Sequence, residues 1–174
     1  MPKPPPEGYL EPNATRDRFA RMAKYWPEIV SPESDISLAL YQINSAVQAR
    51  TLGILKRHRL SPSAYDVLFT LRSLPAAEFA TPTDICEAIK LSSSGMTKVL
   101  YRLKSRRLIR VGVSRRDGRR RNVTLSAQGR TLIERVAAEV AESERALFQG
   151  QIGRAKLHYL RGTLMDILAE VEEL

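Results

Sequence analysis

Residues 91–125 read LSSSGMTKVLYRLKSRRLIRVGVSRRDGRRRNVTL, and two different periodicities meet inside them. Met96, Val99, Leu100 and Leu103 recur at steps of three and four, which predicts one apolar face of a helix over 92–106. Thr97, Lys98, Tyr101, Arg102, Lys104 and Ser105 fall on its other faces. Past Leu108 the period changes to two. Ile109, Val111 and Val113 alternate, as do Val123 and Leu125, and the Asp117-Gly118 pair between them predicts a hairpin. Five arginines lie within Arg115–Arg121. Guanidinium groups so crowded at a hairpin tip repel one another unless an anion sits between them, so the segment suits a polyanion.

Charge over the whole chain supports this. The 174 residues carry a formal +9, yet Ser92–Arg130 alone holds twelve Lys or Arg against one acid, Asp117. That is a local +11, leaving −2 for everything else, and so compact a basic cluster is the footprint expected of phosphate binding. Hydrophobic residues make up 43% of the chain, enough for one folded domain or a core with an extended helical piece. No run has the length of a membrane span and the N-terminus lacks a secretory signal's apolar stretch, so a soluble, cytoplasmic protein without a membrane partner is expected.

Working outward, residues 1–30 form a proline-rich arm followed by a short helix carrying Phe19, Met22 and Trp26 up to Pro27. Residues 31–60 predict a helix of up to about seven turns with Ile36, Leu40, Ile43, Val47, Ile54 and Leu55 on a broad stripe. Three pairs, Ser31-Pro32, Ser61-Pro62 and Thr81-Pro82, each place a capping oxygen before a proline at the first helical position. Helices from Pro62 to Leu74 and from Pro82 to Lys90, joined by the loop LPAAEFAT, therefore precede the basic helix. A helix-turn-helix followed by a wing results, spanning 61–126. Residues 127–174 form two more helices. In the last, Leu157, Leu160, Leu164, Ile167, Val171 and Leu174 describe a heptad seam that seeks another helix.

A helix the size of 92–106 fits the DNA major groove. Ser92, Ser93 and Ser94 offer hydroxyls and free N–H groups at its start, and Thr97, Lys98, Tyr101, Arg102 and Lys104 reach outward to bases or phosphates. On the wing, 109–125, Arg119 is expected in the minor groove, with Arg115, Arg116, Arg120 and Arg121 on phosphates. Asp117 braces the tip by capping the turn and pairing with a guanidinium.

The segments LSPSAYDVLFTLR, TPTDICEAIKLSSSGMTKVLYRLKSRRLI and RRDGRRRNVTLSAQG resemble the MarR family of winged-helix transcription regulators, most closely its PecS and urate-responsive branch. The resemblance implies a mainly α fold with a small β-wing and a homodimer whose terminal helices interlock. It also implies a repressor-type regulator that binds double-stranded DNA at an inverted repeat and responds to a small aromatic or anionic effector. Trp26 and Asp66 match positions that hold ligand in that branch. Where that branch has an arginine in the recognition helix this chain has Val99, and the missing guanidinium means the resemblance does not carry urate over as effector. Without a ligand, Trp26 anchors the N-terminal helix and Asp66 pairs with a base such as Arg59.

The other readings are less specific. Cys86 beside Ile85 is expected to be a plain buried thiol, and with His58 and His158 it lacks any metal-ligand spacing, so neither metal nor cofactor is expected. No glycine-rich phosphate loop or nucleophile elbow is present, so no enzyme is expected. The alternative class is a basic module that binds nucleic acid without sequence preference or effector response.

Overall fold

A computed structural model describes residues 15–75, 79–113, 121–150 and 152–172. The chain divides into two compact units, Met1–Gln48 and Ala49–Leu174. In the first, α1 (Thr15–Tyr25) leads through a 3-10 turn, Pro27–Ile29, to the start of α2 (Pro32–Arg57). Ser31 and Ser34 cap that start reciprocally, each Oγ accepting the other's backbone N–H at 3.2 and 2.9 Å.

The second unit begins within α2 and continues with α3 (Pro62–Ser73), α4 (Pro82–Ile89) and α5 (Ser93–Ser105). The strands β1 (Ile109–Val113) and β2 (Arg121–Leu125) pair antiparallel, with Ile109 opposite Leu125 and Val111 opposite Val123. Helices α6 (Ala127–Gln149) and α7 (Arg154–Glu172) complete it. The fold is thus mainly helical with a small wing, as the periodicities predict. Ser61, Thr81 and Ser126 each accept a backbone N–H at a helix start, and Thr81 with Asp84 forms a full capping box. The tip of the hairpin, the proline-rich arm and Leu174 lie outside the described residues.

One segment differs from the sequence reading. LPAAEFAT was expected to be loop, but Ala80 bridges Val123, donating to it at 3.4 Å and accepting from it at 2.8 Å. A single residue thereby extends the sheet on its β2 side. A one-residue strand has no period and leaves no signature in sequence.

Three helix ends share a device. Arg59, Lys90 and Arg107 adopt positive φ of 54°, 51° and 57°. Behind each, the next residue donates backward over a full turn: Leu60 to Leu55, Leu91 to Cys86 and Leu108 to Leu103, at 2.9, 3.1 and 3.0 Å. These are Schellman ends, in which a left-handed residue reverses the chain and the following leucine drops onto the helix it has just left. Leu60 and Leu108 are buried in the core, and Leu91 packs against it.

That core joins α3 through Val67 and Leu68, α4 through Ile85, α5 through Met96 and Leu103, β2 through Val123 and α6 through Ile133 and Val136. Phe69, also on α3, remains exposed. Outside the core, Glu139 of α6 receives Arg57 Nη2 at 3.1 Å and faces His58 Nε2 at 2.8 Å. These two partners, His58 first, hold its carboxyl below the ordinary carboxylate range.

The tightest backbone approach is at the start of α6. A Cβ on Gly129 would lie 1.9 Å from the carbonyl oxygen of Leu108, so only glycine fits. Gly129→Ala should cost about 3 kcal/mol or more, at the upper end of overpacking effects because the obstacle is backbone, and chemical denaturation checks it. A depressed folded pKa for Glu139 stabilises above the unfolded carboxylate pKa of about 4.3 and is lost as pH falls through the lower folded value. Glu139→Gln should therefore flatten the acid limb of melting temperature plotted against pH.

Candidate nucleic-acid interface

Helix α5 begins at Ser92, whose Oγ accepts the Gly95 N–H at 3.3 Å. The cap engages Ser92 with its own helix and leaves Ser93 and Ser94 exposed at the positive helix end, with no acid in the first turn. Gly95 is confined as well: a Cβ there would stand 3.2 Å from both Leu91 Cδ1 and Ser92 Oγ. Thr97 Oγ1 donates to the Ser93 carbonyl at 3.1 Å, which still leaves its lone pairs free to accept.

Opposite buried Met96 and Leu103, residues Ser94, Thr97, Lys98, Tyr101 and Lys104 share one exposed face at helical spacing. Tyr101 on this face is 75% exposed. Lys98 and Arg102 stand four residues apart, a like-charge pair that destabilises an isolated helix and is relieved by a bound anion.

The wing comes to the same side of the unit. Ser93, Thr97, Tyr101 and Lys104 of α5 and Arg121 of β2 line a single cavity of about 440 Å³, whose floor includes Met96, Leu100 and Val111. Two cationic side chains, four hydroxyls counting Thr83 of α4, and an aromatic ring thus meet where α5 and the β-ribbon join. Cys86 lines the same cavity and is half-buried, more open than the plain buried thiol expected of it.

Arg115, Arg116, Asp117, Arg119 and Arg120 fall outside the described residues, so the wing is represented here by its base. Trp26 is 60% exposed on the first unit. Asp66, on α3, is also exposed, and desolvation by the protein around it holds its carboxyl above the ordinary range. Neither residue lines the cavity.

Some cations of the 92–130 cluster have partners within the protein itself. Arg130 lies 4.0 Å from Glu134, which also binds Arg72 Nε at 2.7 Å. Arg106 is turned toward backbone carbonyls after α2. A charge count assigns these residues to the patch, and only their partners remove them from it.

Residues 58–120 match the sequence profile of the MarR family. The transcriptional regulator PecS of Dickeya dadantii is 30% identical over 120 residues, 69% of each chain. The chain belongs to the MarR family. Solved members share the fold at lower identity. A MepR–DNA complex of S. aureus superposes with a TM-score of 0.64 at 21% identity, over 77% of this chain and 96% of that one. CouR from Rhodococcus jostii RHA1, bound to p-coumaroyl-CoA, gives 0.64 at 21% identity over 79% and 94%. As a MarR-family protein the chain is a DNA-binding transcription regulator of the winged helix-turn-helix type and not an enzyme.

The Ser92 cap positions the hydroxyls beside it. Ser92→Ala should cost about 1 kcal/mol, the usual value of a lost cap, whereas Ser92→Asp should retain it, as paired denaturation curves would show. Equal destabilisation by both would count against the cap.

Proposed function

We propose that this regulator acts as a homodimeric repressor on an inverted repeat, with helix 92–106 in the major groove and wing 109–125 in the minor groove of each half-site. The shared cavity carries the reading, because Thr97, Tyr101 and Lys104 from the helix and Arg121 from the ribbon present to one side. A duplex laid there meets base-reading and phosphate-neutralising groups together. The MepR–DNA complex supports DNA as the partner of this fold.

Dimerisation is argued from uncovered apolar surface. Leu160, Ile167 and Val171, three positions of the heptad seam on α7, are exposed, and among the described residues of α7 none is buried. On the first unit Ile36, Leu40 and Ile43 of α2 are exposed too. Apolar residues recurring at helical spacing and facing water mark an association surface, and a twofold dimer matches the twofold symmetry of an inverted repeat.

The effector of this reading is a small aromatic or anionic molecule, with Trp26 and Asp66 assigned to it by family resemblance. CouR's p-coumaroyl-CoA is a ligand of that chemical kind. No helix among the described residues is long and apolar enough to cross a membrane, and the cytoplasm, where the DNA lies, is the proposed place of action.

Selection of duplexes from a random pool by the full-length protein tests the reading. The expected product is an inverted repeat with half-site centres about 10 base pairs apart. Arg119→Ala should weaken binding to it by about tenfold and relax the preference for A·T flanks. Equal affinity for every duplex, with a steep loss in salt, would instead assign the chain to the non-specific basic modules.

A further inference from the structure

Arg106 belongs by charge to the basic cluster, by position to the end of the recognition helix, and by geometry to neither task. Its guanidinium reaches across to the end of α2, where Nη1 donates to the Arg59 carbonyl at 2.5 Å and Nη2 to the His58 carbonyl at 3.2 Å. His58 and Arg59 form the Schellman end of α2, with Arg59 at φ 54°. Carbonyls at a helix C-terminus lack intrahelical donors and carry the negative end of the helix dipole. A planar, delocalised cation with two parallel N–H groups matches two adjacent carbonyls in a way that the single ammonium of lysine does not.

Both sides of this contact are themselves held. Arg106 caps α5, its own N–H donating to the Arg102 carbonyl, and Arg107 and Leu108 turn the chain immediately after it. On the α2 side, Arg57 and His58 are tied to Glu139 of α6. A movement of the α2 end is therefore passed to the C-terminal end of α5.

We infer that Arg106 is a positioning residue for DNA recognition: it clasps the end of α2 and so sets the angle at which α5 meets the groove, and it does not bind phosphate. The inference rests on the proposed reading of α5 as the major-groove helix. Base-edge hydrogen bonds depend on angle, whereas attraction to phosphate varies slowly with distance, so loosening one end of α5 should weaken specific binding far more than non-specific binding.

Arg106→Ala and Arg106→Lys in the full-length protein separate this role from a phosphate contact. Binding is measured on the duplex selected by the unaltered protein and on a scrambled duplex of the same composition, across a series of salt concentrations. The clasp predicts about a tenfold loss on the selected duplex and less than about twofold on the scrambled one, since misplaced base contacts erode the specificity ratio. It also predicts an unchanged salt slope and no rescue by lysine. A slope shallower by about 0.9, with lysine restoring affinity, would make Arg106 a phosphate ligand and overturn the inference. So would unchanged specific binding in both variants.

Hydrogen exchange supplies a readout that needs no DNA. Protection around 58–60 and the last turn of α5 should fall in both variants while the core of α3 and α6 keeps its protection. Unchanged exchange at those two places overturns the clasp. If the unaltered protein selects no duplex, the DNA reading itself fails, and exchange still decides whether Arg106 fastens α5 to α2.

Discussion

The two ends of the wing are fastened at one carbonyl, and the geometry of the whole interface depends on it. Leu108 is the last of the three residues between α5 and β1, and its oxygen accepts the N–H of Ser126 at 3.0 Å, while the Ser126 hydroxyl is shared between the carbonyls of Arg107, at 2.7 Å, and Leu108, at 3.1 Å. Ser126 is in turn the residue between β2 and α6. Entry to and exit from the β-ribbon are thus closed at a point that also lies directly under Gly129. The ribbon cannot swing away from α5 without breaking these bonds, and α6 cannot lie as close with any side chain at 129. Because a cation on β2 and a ring on α5 can share one cavity only if ribbon and helix keep a fixed relation, the site is a consequence of that junction.

The Schellman ends perform the same service inside the helical part. Each reverses the chain sharply with a left-handed Lys or Arg, at a backbone cost of about 1 kcal/mol relative to glycine, and each is followed by a leucine packed in or against the core. Burying most of a leucine is worth about 2 kcal/mol, so the leucine decides the turn and the basic residue tolerates it. A long charged side chain at that position stays in water.

Those turns explain which parts of the fold could be read from residues alone. Helix starts were legible because Ser61, Thr81 and Ser126 are capping types placed before proline or alanine, and the structure uses each hydroxyl as that chemistry requires. Helix ends were legible only through their apolar periods, since Arg-Leu and Lys-Leu pairs carry none of the punctuation that glycine supplies. The strands were legible through their alternation, while the Ala80 bridge was not, because its pairing depends on how α3 and α4 deliver the intervening segment to β2. At the site, the outward face of α5 followed from its period. The meeting of Tyr101 and Lys104 with Arg121 did not, since it is set by the Leu108 junction, a contact with no trace in spacing.

Charge was the most informative and the least resolved of the sequence signals. A surplus of +11 over 92–130 predicts a polyanion surface in outline, because counterion release depends on how many cations are gathered and hardly on how each is oriented. Orientation separates the members. Lys98, Arg102 and Lys104 extend into water from α5, Arg130 is drawn toward Glu134, and Arg106 faces the negative end of another helix. An arginine placed among phosphate ligands in sequence is the residue type able to serve either a phosphate or a pair of carbonyls, as both offer oxygens at similar spacing to the same planar fork. The two uses have opposite consequences for a regulator. A phosphate ligand adds affinity for any duplex, whereas a cation held by the protein's own backbone adds none, and contributes only by making the remaining contacts fall where a particular sequence has its base edges.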